Sequence, residues 1–375
     1  MARASDVHKT AGVTVVVYPA RNREPAHERA THTELARRLA GILGHPFGGT
    51  YDPAAHTGRL YVVPTDTIVG MDAAQRLGIH SEADLFGGVV PEAFIPTKSI
   101  THPLLSPDAI APQGWSSEFG RRVVESVLTG ITAFDLADAR AAGERLLLLG
   151  PVRIKPVLAT AGRGQIVVTS TAQLMEALEG QDTERLHECG IVLEEHLEKV
   201  KTYSVGQVRV AGIVASYVGV QRLTPDNIGE MVYGGSQLIV ARGDFDALRQ
   251  LELAEDFKIA LAKAETYDAA AYACFPGFFA SRRNYDIASG LGSEGVFRCG
   301  VLEQSWRIGG ASGAEVAALE VFHAEPDAQV LEASTIEIFG TQAAPPAGAT
   351  TLFQGTDPDI GPIGKYVTVK AYGNQ

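Results

Sequence analysis

The sequence has few of the residues that define disulfide-rich and zinc-binding proteins. Only three cysteines occur in 375 residues, at Cys189, Cys274 and Cys299. Three widely spaced cysteines provide neither a disulfide framework nor the paired spacing of a zinc site. His27 and His32 are five positions apart, which does not match a helical metal-binding pair. The chain therefore excludes both architectures and is typical of a reducing, cytoplasmic environment.

Long apolar segments are missing as well. No apolar run approaches the roughly 20 residues of a membrane-spanning helix. The run Val13–Tyr18 is too short for the apolar region of a signal peptide, and it leads directly into Pro19 and charged residues. We therefore expect a cytoplasmic protein that has no membrane partner.

The sequence also lacks an excess of positive charge. The 44 Asp and Glu residues outnumber the 32 Lys and Arg residues, and the formal net charge is -12. Non-specific binding to nucleic acid needs a basic surface, so we expect no nucleic-acid partner. The N-terminal strand-helix-strand unit lacks GxGxxG, and the sequence lacks GxxxxGK[ST] and GxSxG, which argues against an N-terminal dinucleotide fingerprint, a P-loop and a hydrolase nucleophile elbow. A local basic pocket for a nucleotide remains compatible with this composition.

Strand and helix patterns alternate in the first part of the chain. Val13–Tyr18 and Arg59–Pro64 are predicted strands, and His27–Leu43 has apolar residues at helical spacing. This order predicts a small parallel α/β unit, which we assign to residues 1–97. Its exposed face can form the contact of a homodimer.

Strand patterns dominate beyond the prolines of residues 91–103. Helical patterns at Leu136–Leu149 and Phe257–Tyr272 separate groups of predicted strands. We assign residues 98–323 to a central domain of mixed strands and helices. Residues 324–375 are rich in Pro, Gly and Thr, and we assign them to a C-terminal β-rich extension.

The run Val301–Gly310 carries the most distinctive polar pattern. Alternate side chains of a strand share a face, so Glu303, Ser305 and Arg307 are predicted to point the same way. A metal ion can bind the carboxylate and the hydroxyl, and a phosphate can bind the guanidinium. Asp286 lies on the preceding predicted strand, and two carboxylates on neighbouring strands form an oxygen site suited to Mg²⁺. A solvent-facing edge strand with an internal ion pair is the alternative.

Two upstream segments carry further polar residues beside apolar strands. Lys155 lies in a strand before the glycine loop of Gly162 and Gly164, whose backbone N–H groups can close over phosphates. The strand Ile191–Leu193 runs into acidic residues that begin at Glu194, and a strand end with a carboxylate can read an adenine amino group. An ordinary hairpin and a plain strand-to-loop transition are the respective alternatives.

The order of these parts resembles the ATP-grasp superfamily, which includes biotin carboxylase and D-alanine–D-alanine ligase. The resemblance covers roughly residues 98 to 320 and rests on two lysines, a glycine hairpin, a strand that ends in Glu, an Asp, and Glu-x-Ser-x-Arg. It implies an α/β (α+β) chain in which an N-terminal Rossmann-like pre-ATP-grasp domain precedes a two-lobed ATP-grasp fold. ATP and Mg²⁺ would bind between the two lobes.

The resemblance also implies roles for individual residues. The residues that would bind ATP are Lys98, Lys155, Gly162, Arg163, Gly164, Glu194, Glu195 and Leu197. The residues that would hold Mg²⁺ are Asp286, Glu303 and Ser305. The catalytic residues would be Arg307, which would stabilise the transferring phosphoryl group, Lys155, which would neutralise the triphosphate, and Arg283, which could balance charge at the metal site.

The implied activity is an ATP- and Mg²⁺-dependent ligation of a small-molecule carboxylate to an amine. The reaction would pass through an acyl-phosphate and release ADP and phosphate. Three features depart from the family pattern. The loop of residues 160–164 is short and carries Arg163. Ser305 stands where the family has Asn, and Lys201–Tyr203 stand where an acidic residue often holds ribose. A nucleotide-binding protein of the same fold without ligase turnover is the alternative.

Overall fold

A parallel three-stranded sheet begins the fold. The computed structural model describes residues 12–21, 23–157, 164–341 and 344–373. The elements of this first part are β1 (Thr14–Tyr18), α1 (Ala26–Leu43), β2 (Phe47–Thr50), β3 (Leu60–Pro64), β4 (Ile68–Val69), α2 (Met71–Arg76) and β5 (Gly88–Val90). The sheet has the order β2-β1-β3, and the valines of β1 are fully buried at its centre. Helix α1 ends because Gly44 adopts a φ of 67° and its N–H bonds the carbonyl of Gly41.

The strand order of this sheet reverses between β1 and β3. Helix α1 connects β1 to β2 on one side, and the chain then crosses to the other side of β1 to form β3. In open parallel sheets, such a reversal leaves a crevice at the carboxyl ends of the two strands. The residues that follow Tyr18 and Pro64 form that crevice edge.

A four-stranded antiparallel sheet forms the first lobe of the central region. The next elements are α3 (Ser117–Val123), β6 (Gly130–Ala133), α4 (Leu136–Leu147), β7 (Val152–Pro156), β8 (Ile166–Val168), α5 (Thr171–Glu179), α6 (Thr183–Cys189) and β9 (Ile191–Glu195). The sheet order is β6-β9-β7-β8. Leu146 of α4 and Leu174 of α5 are buried in one apolar cluster with Ile154 and Leu193 of the sheet.

An eight-stranded sheet forms the second lobe. Its chain segment contains β10 (Glu198–Val210), β11 (Ile213–Pro225), β12 (Met231–Arg242), α7 (Phe245–Arg249), α8 (Glu255–Cys274), β13 (Phe279–Ala280), β14 (Arg282–Leu291), β15 (Phe297–Ser305), α9 (Ser312–Ala324), β16 (Val330–Phe339), β17 (Thr350–Asp357) and β18 (Gly361–Ala371). The sheet order is β15-β14-β10-β11-β12-β16-β18-β17, with all neighbours antiparallel. The last three strands therefore extend the sheet that begins with β10 to β12.

Helices α8 and α9 cover opposite faces of this sheet. Consecutive strand residues point to opposite faces, and Arg282 and Arg283 show it directly. Arg282 forms an ion pair with Glu315 of α9, whereas Arg283 forms one with Asp268 of α8. The face that α9 covers is the one that carries Asp286, four residues after Arg282.

The N-terminal sheet is joined to the large sheet through a shared core. Leu35 and Leu39 of α1 are buried in the same apolar cluster as Leu319 of α9 and Leu331 of β16. The short strand β5 also pairs with β13, so the two parts share backbone hydrogen bonds. The crevice edge of the parallel sheet is therefore held in a defined position beside the large sheet.

Most predicted strands and helices are confirmed, including the adjacency of the two strands that carry Asp286 and Glu303. The segment around Gly235 is part of the long strand β12. A Cβ on Gly235 would lie 2.0 Å from the Thr335 carbonyl oxygen, so the glycine permits a close strand contact. No helix in the described residues is long and apolar enough to cross a membrane.

Candidate active site

Four polar side chains form a block on the α9 side of β14 and β15. The register pairs Asp286 with Glu303 and Asn284 with Ser305, so all four share one face. Burial, together with the negative charge of Glu303, raises the pKa of Asp286 to about 6. Ionisation of both carboxylates is unfavourable because their negative charges repel each other. A bound cation would stabilise the ionised pair.

Three donors orient the carboxylate of Asp286. Gln221 Nε2 and Asn284 Nδ2 donate to its Oδ1 at 2.7 and 2.9 Å, and Ser204 Oγ lies 3.4 Å from the same oxygen. None of these contacts uses Oδ2. Gln221 is not among the predicted site residues, because its approach to Asp286 depends on the pairing of β10, β11 and β14.

Lys98 brings a positive charge to the same block. Its Nζ lies 3.0 Å from Glu303 Oε2, and only 5% of the lysine side chain is exposed. The segment before Lys98 is tied to β15, because Gln304 Nε2 donates to the carbonyls of Ile95 and Thr97, each at 2.7 Å. The structure thus brings together Lys98 and Glu303, which the sequence predicted as a phosphate-facing and a metal-binding residue.

The arginine on this face is Arg282. Its Nη1 donates to Ser305 Oγ at 3.1 Å, and its guanidinium is paired with the fully buried carboxylate of Glu315, with Nη2 to Oε1 at 2.8 Å. A hydroxyl that accepts a bond from a guanidinium is a poor ligand for a second cation. The geometry therefore disfavours Ser305 as a metal ligand.

Arg283, predicted as a catalytic residue, lies on the opposite face, so the structure does not bring it together with Asp286 and Glu303. Its Nε lies 2.9 Å from Asp268 Oδ1, and its Nη1 donates to the Tyr272 hydroxyl at 2.6 Å. Both partners belong to α8, behind the sheet. Strand alternation counted from Asp286 would have selected Arg282, because residues four apart on a strand share a face.

A second ionic cluster lies in the first lobe. Lys155 Nζ contacts Glu194 Oε1, and His102 Nε2 lies 3.1 Å from Glu194 Oε2. Burial of Glu194 opposes its ionisation, but Lys155 and His102 outweigh that effect and lower its pKa to about 2. The Glu194 carboxylate is therefore already paired within the protein. Any contact with adenine at the end of β9 would be made by backbone groups.

The end of β9 is held in place by hydrogen bonds between Glu195 and Thr129. The Glu195 N–H donates to the Thr129 carbonyl at 2.8 Å, and Glu195 Oε1 accepts from the Thr129 N–H at 2.9 Å. Leu197 is buried in a small apolar cluster with Leu128 and Ala288, and Leu302 packs against it. Ala288 of this cluster lies on β14, the strand that carries Asp286.

The predicted glycine loop is only partly described. Gly162 and Arg163 lie outside the described residues. Gly164 has a φ of 68°, a conformation that side-chain-bearing residues rarely adopt, and it leads into β8.

Arg307 follows β15 and reaches the crevice edge of the N-terminal sheet. Its Nε lies 3.5 Å from Asp66 Oδ1, and Asp66 belongs to the turn after β3. Burial and the positive charge of Arg21 lower the pKa of Arg307 from its ordinary value. Arg307 therefore stands between the carboxylate block and the parallel sheet.

The described residues contain no group of three or more His, Cys, Asp or Glu side chains arranged to hold a metal. The candidate site has only the carboxylates of Asp286 and Glu303. Mg²⁺ is usually bound by one or two carboxylates together with water and substrate phosphates, so this donor set fits Mg²⁺ better than a metal that needs a full protein cage.

Several solved structures share this architecture at low sequence identity. An N5-carboxyaminoimidazole ribonucleotide synthetase, solved as an ADP complex, is 12% identical, with a TM-score of 0.51 over 96% of this chain and 93% of that chain. A biotin carboxylase of Campylobacter jejuni is 12% identical, with a TM-score of 0.50 over 95% of this chain and 87% of that chain. A phosphoribosylamine–glycine ligase of Thermotoga maritima is 13% identical, with a TM-score of 0.50 over 96% and 92%.

These likenesses show that the chain has the ATP-grasp fold, and the predicted fold class is confirmed. Within that class, the chain belongs to the family described as Protein of unknown function (DUF3182), whose sequence model matches residues 15–367. No curated protein matches the sequence.

Proposed function

We propose that the protein is an ATP- and Mg²⁺-dependent ligase that joins a small-molecule carboxylate to an amine. The observation that carries this proposal is the Asp286–Glu303 pair, with Lys98 on Glu303 and Arg307 after the same strand. Two acids and two cations on one face complement a metal-bound triphosphate. Proteins of the same fold that are named as a synthetase, a carboxylase and a ligase add support.

The residues of this block fit a magnesium ion. Asp286 and Glu303 would hold it, and relief of their mutual repulsion would favour its binding. When bound, the ion would offset the negative charge of the nucleotide phosphates. Ser305 is left out of this ligand set because Arg282 donates to its hydroxyl.

The nucleotide would lie between the lobes. The apolar cluster around Leu197 is suited to the adenine ring. Lys98 and Lys155 would face the phosphates. An ammonium group has three protons, so Lys155 can donate to phosphate while it keeps its contact with Glu194. Gly164 would lie near the phosphates.

The proposed chemistry has two steps. A carboxylate oxygen of the first substrate attacks the γ-phosphorus of ATP, the bond to the β-phosphate oxygen breaks, and an acyl-phosphate and ADP form. The amine nitrogen then attacks the acyl carbon, the carbon–oxygen bond to phosphate breaks, and the amine loses a proton. The protein contributes chiefly by positioning the reactants and by stabilising charge, with Arg307 at the transferring group.

An ADP-release screen over pairs of carboxylic acids and amines tests this proposal. We expect at least one pair to release ADP, and we expect Lys98→Ala to reduce that rate by about 100-fold, because a phosphate-facing charge is lost. Lys258→Ala is the matched control, since Lys258 is exposed and pairs only with a neighbour on its own helix.

A nucleotide-binding protein without turnover is the second candidate. It is favoured by Ser305, whose hydroxyl is bound by Arg282 and which leaves two protein ligands for the metal. If Mg²⁺ and ADP bind but no acid and amine pair releases ADP, this second function replaces the first.

A further inference from the structure

The crevice between β1 and β3 lies beside the candidate active site. The proposed binding site for the nucleotide, between the two lobes, does not include it. Ligands of open parallel sheets bind at the carboxyl ends of strands where the strand order reverses, and this sheet reverses there. The two loops of the crevice are tied together, because Thr65 Oγ1 accepts from the N–H of Ala20 at 3.0 Å and lies 3.4 Å from that of Arg21. The crevice edge is therefore a built feature of the fold.

Four charged side chains from three separate segments converge on this edge. Arg21 Nη1 lies 2.9 Å from Glu28 Oε2, and Arg21 Nε lies 3.5 Å from Asp66 Oδ2. Arg307 Nε approaches the other oxygen of Asp66, also at 3.5 Å. Glu28 lies in the first turn of α1, Asp66 follows β3, and Arg307 follows the strand of Glu303. The cluster thus connects the crevice to the carboxylate block.

The cluster is arranged so that it can accept a ligand. Both contacts to Asp66 exceed the length of an ordinary N–H···O hydrogen bond, so neither arginine is firmly bonded to it. The side chains are partly open, with 19% of Arg21, 22% of Arg307, 32% of Glu28 and 45% of Asp66 exposed. Arg21 and Arg307 can therefore exchange Asp66 for a group of a bound molecule, while Arg21 keeps its 2.9 Å contact with Glu28.

The signs of these charges restrict the ligand. A dianion would be repelled by Glu28 and Asp66, and a simple amine would be repelled by the two guanidinium groups. A molecule that carries both a carboxylate and an amino group can pair with each set. A carboxylate also matches the planar fork of a guanidinium in a bidentate geometry.

We infer that this crevice binds the amine substrate, and that this substrate is a zwitterion of the amino-acid type. The inference rests on the proposed ligase function. The carboxylate of the substrate binds Arg21, and its amino group binds Asp66. Asp66 contacts Arg307, which follows the strand of the carboxylate block, so the amino group faces the acyl-phosphate and the substrate carboxylate points away from it.

Matched pairs of ligands test the inference without turnover. The protein is saturated with Mg²⁺ and ADP, and each standard amino acid is titrated by calorimetry next to the amine that its decarboxylation yields. We expect at least one amino acid to bind and its decarboxylated amine to bind about tenfold more weakly or not at all, because the contact with Arg21 is lost.

Two arginines two positions apart provide matched variants. Arg21→Gln should weaken the binding of that amino acid by about tenfold or more, and Arg21→Lys should restore part of it. Arg23→Gln should leave it unchanged, because Arg23 is 83% exposed and pairs with Asp359 at the surface. A melting curve for each variant shows whether it is folded.

The outcomes separate this inference from the proposed function. If Mg²⁺ and ADP bind but no amino acid binds, or if the decarboxylated amines bind equally well, the crevice assignment is wrong and the ligase proposal stands. Equal loss in Arg21→Gln and Arg23→Gln also overturns the assignment. If Mg²⁺ and ADP themselves do not bind, the proposed function fails and the inference fails with it.

Discussion

Two acidic sites in this protein have opposite electrostatics. In the first lobe, Glu194 is bound by Lys155 and His102, and its pKa falls to about 2. In the second lobe, Asp286 faces Glu303 and its pKa rises to about 6. Glu194 has Lys155 and His102 as direct partners, whereas Asp286 faces a second carboxylate, Glu303, which is the one that Lys98 contacts. The difference supports the proposal that the second pair, and not Glu194, holds a cation.

Glu194→Gln should have the largest effect on stability. The substitution leaves the Lys155 ammonium buried without its counter-charge, and breaking a buried pair in this way costs about 3–5 kcal/mol. Urea unfolding measures the change in the free energy of unfolding. Glu198→Gln is the control, since Glu198 is exposed and should change that free energy by less than about 0.5 kcal/mol. Equal changes in the free energy of unfolding in the two variants would contradict the claim that Glu194 stabilises the first lobe through its buried ion pair.

Asp286→Asn should have a smaller effect of the opposite sign. The folded-state pKa of Asp286 is raised above its ordinary value, so ionised Asp286 destabilises the fold at pH values above about 6. We expect the variant to gain about 1–2 kcal/mol at pH 7.5, and we expect this gain to vanish near pH 4, where the wild-type carboxyl is protonated. The Asn carbonyl can still accept the bonds from Gln221 and Asn284.

The same pH series should show the reverse trend for Glu194. Its folded-state pKa is lowered, so its stabilising contribution is present above about pH 4.5 and is lost as the pH falls toward about 2. Parallel pH profiles for Asp286→Asn and Glu194→Gln, each subtracted from the wild type, would contradict the comparison.

Arg283→Lys should have the smallest effect on the site. Arg283 lies behind the sheet with Asp268 and Tyr272, and lysine keeps the charge there. We expect the Kd for ADP with Mg²⁺ to change by less than about twofold. A tenfold weaker binding of ADP by a folded variant would show that Arg283 contributes to the nucleotide site, contrary to this account.

The pairing of Asp286 with Glu303 could be predicted from the sequence because strand alternation is a local property. Glu303 and Asp286 follow from two adjacent strand patterns, and the register bears this out. The same rule applied from Asp286 would have separated Arg282 from Arg283. The fold class was also readable, because the order of the motifs along the chain distinguishes it.

The remaining site contacts depend on tertiary structure. Gln221 reaches Asp286 across β10, and His102 reaches Glu194 over a separation of 92 residues. Arg21 and Asp66 meet Arg307 only because the parallel sheet packs against the large one. No local pattern encodes which loop faces which strand, so these residues could not be chosen from sequence.

The most direct test of the account is the Mg²⁺ dependence of ADP affinity, measured by calorimetry with and without the ion. We predict that Mg²⁺ tightens ADP binding to the wild type by about tenfold or more, and that Glu303→Gln removes most of this gain. Glu255→Gln, at a site with 78% of the side chain exposed, should keep it. An equal Mg²⁺ effect in wild type and Glu303→Gln would show that the carboxylate block does not hold the ion.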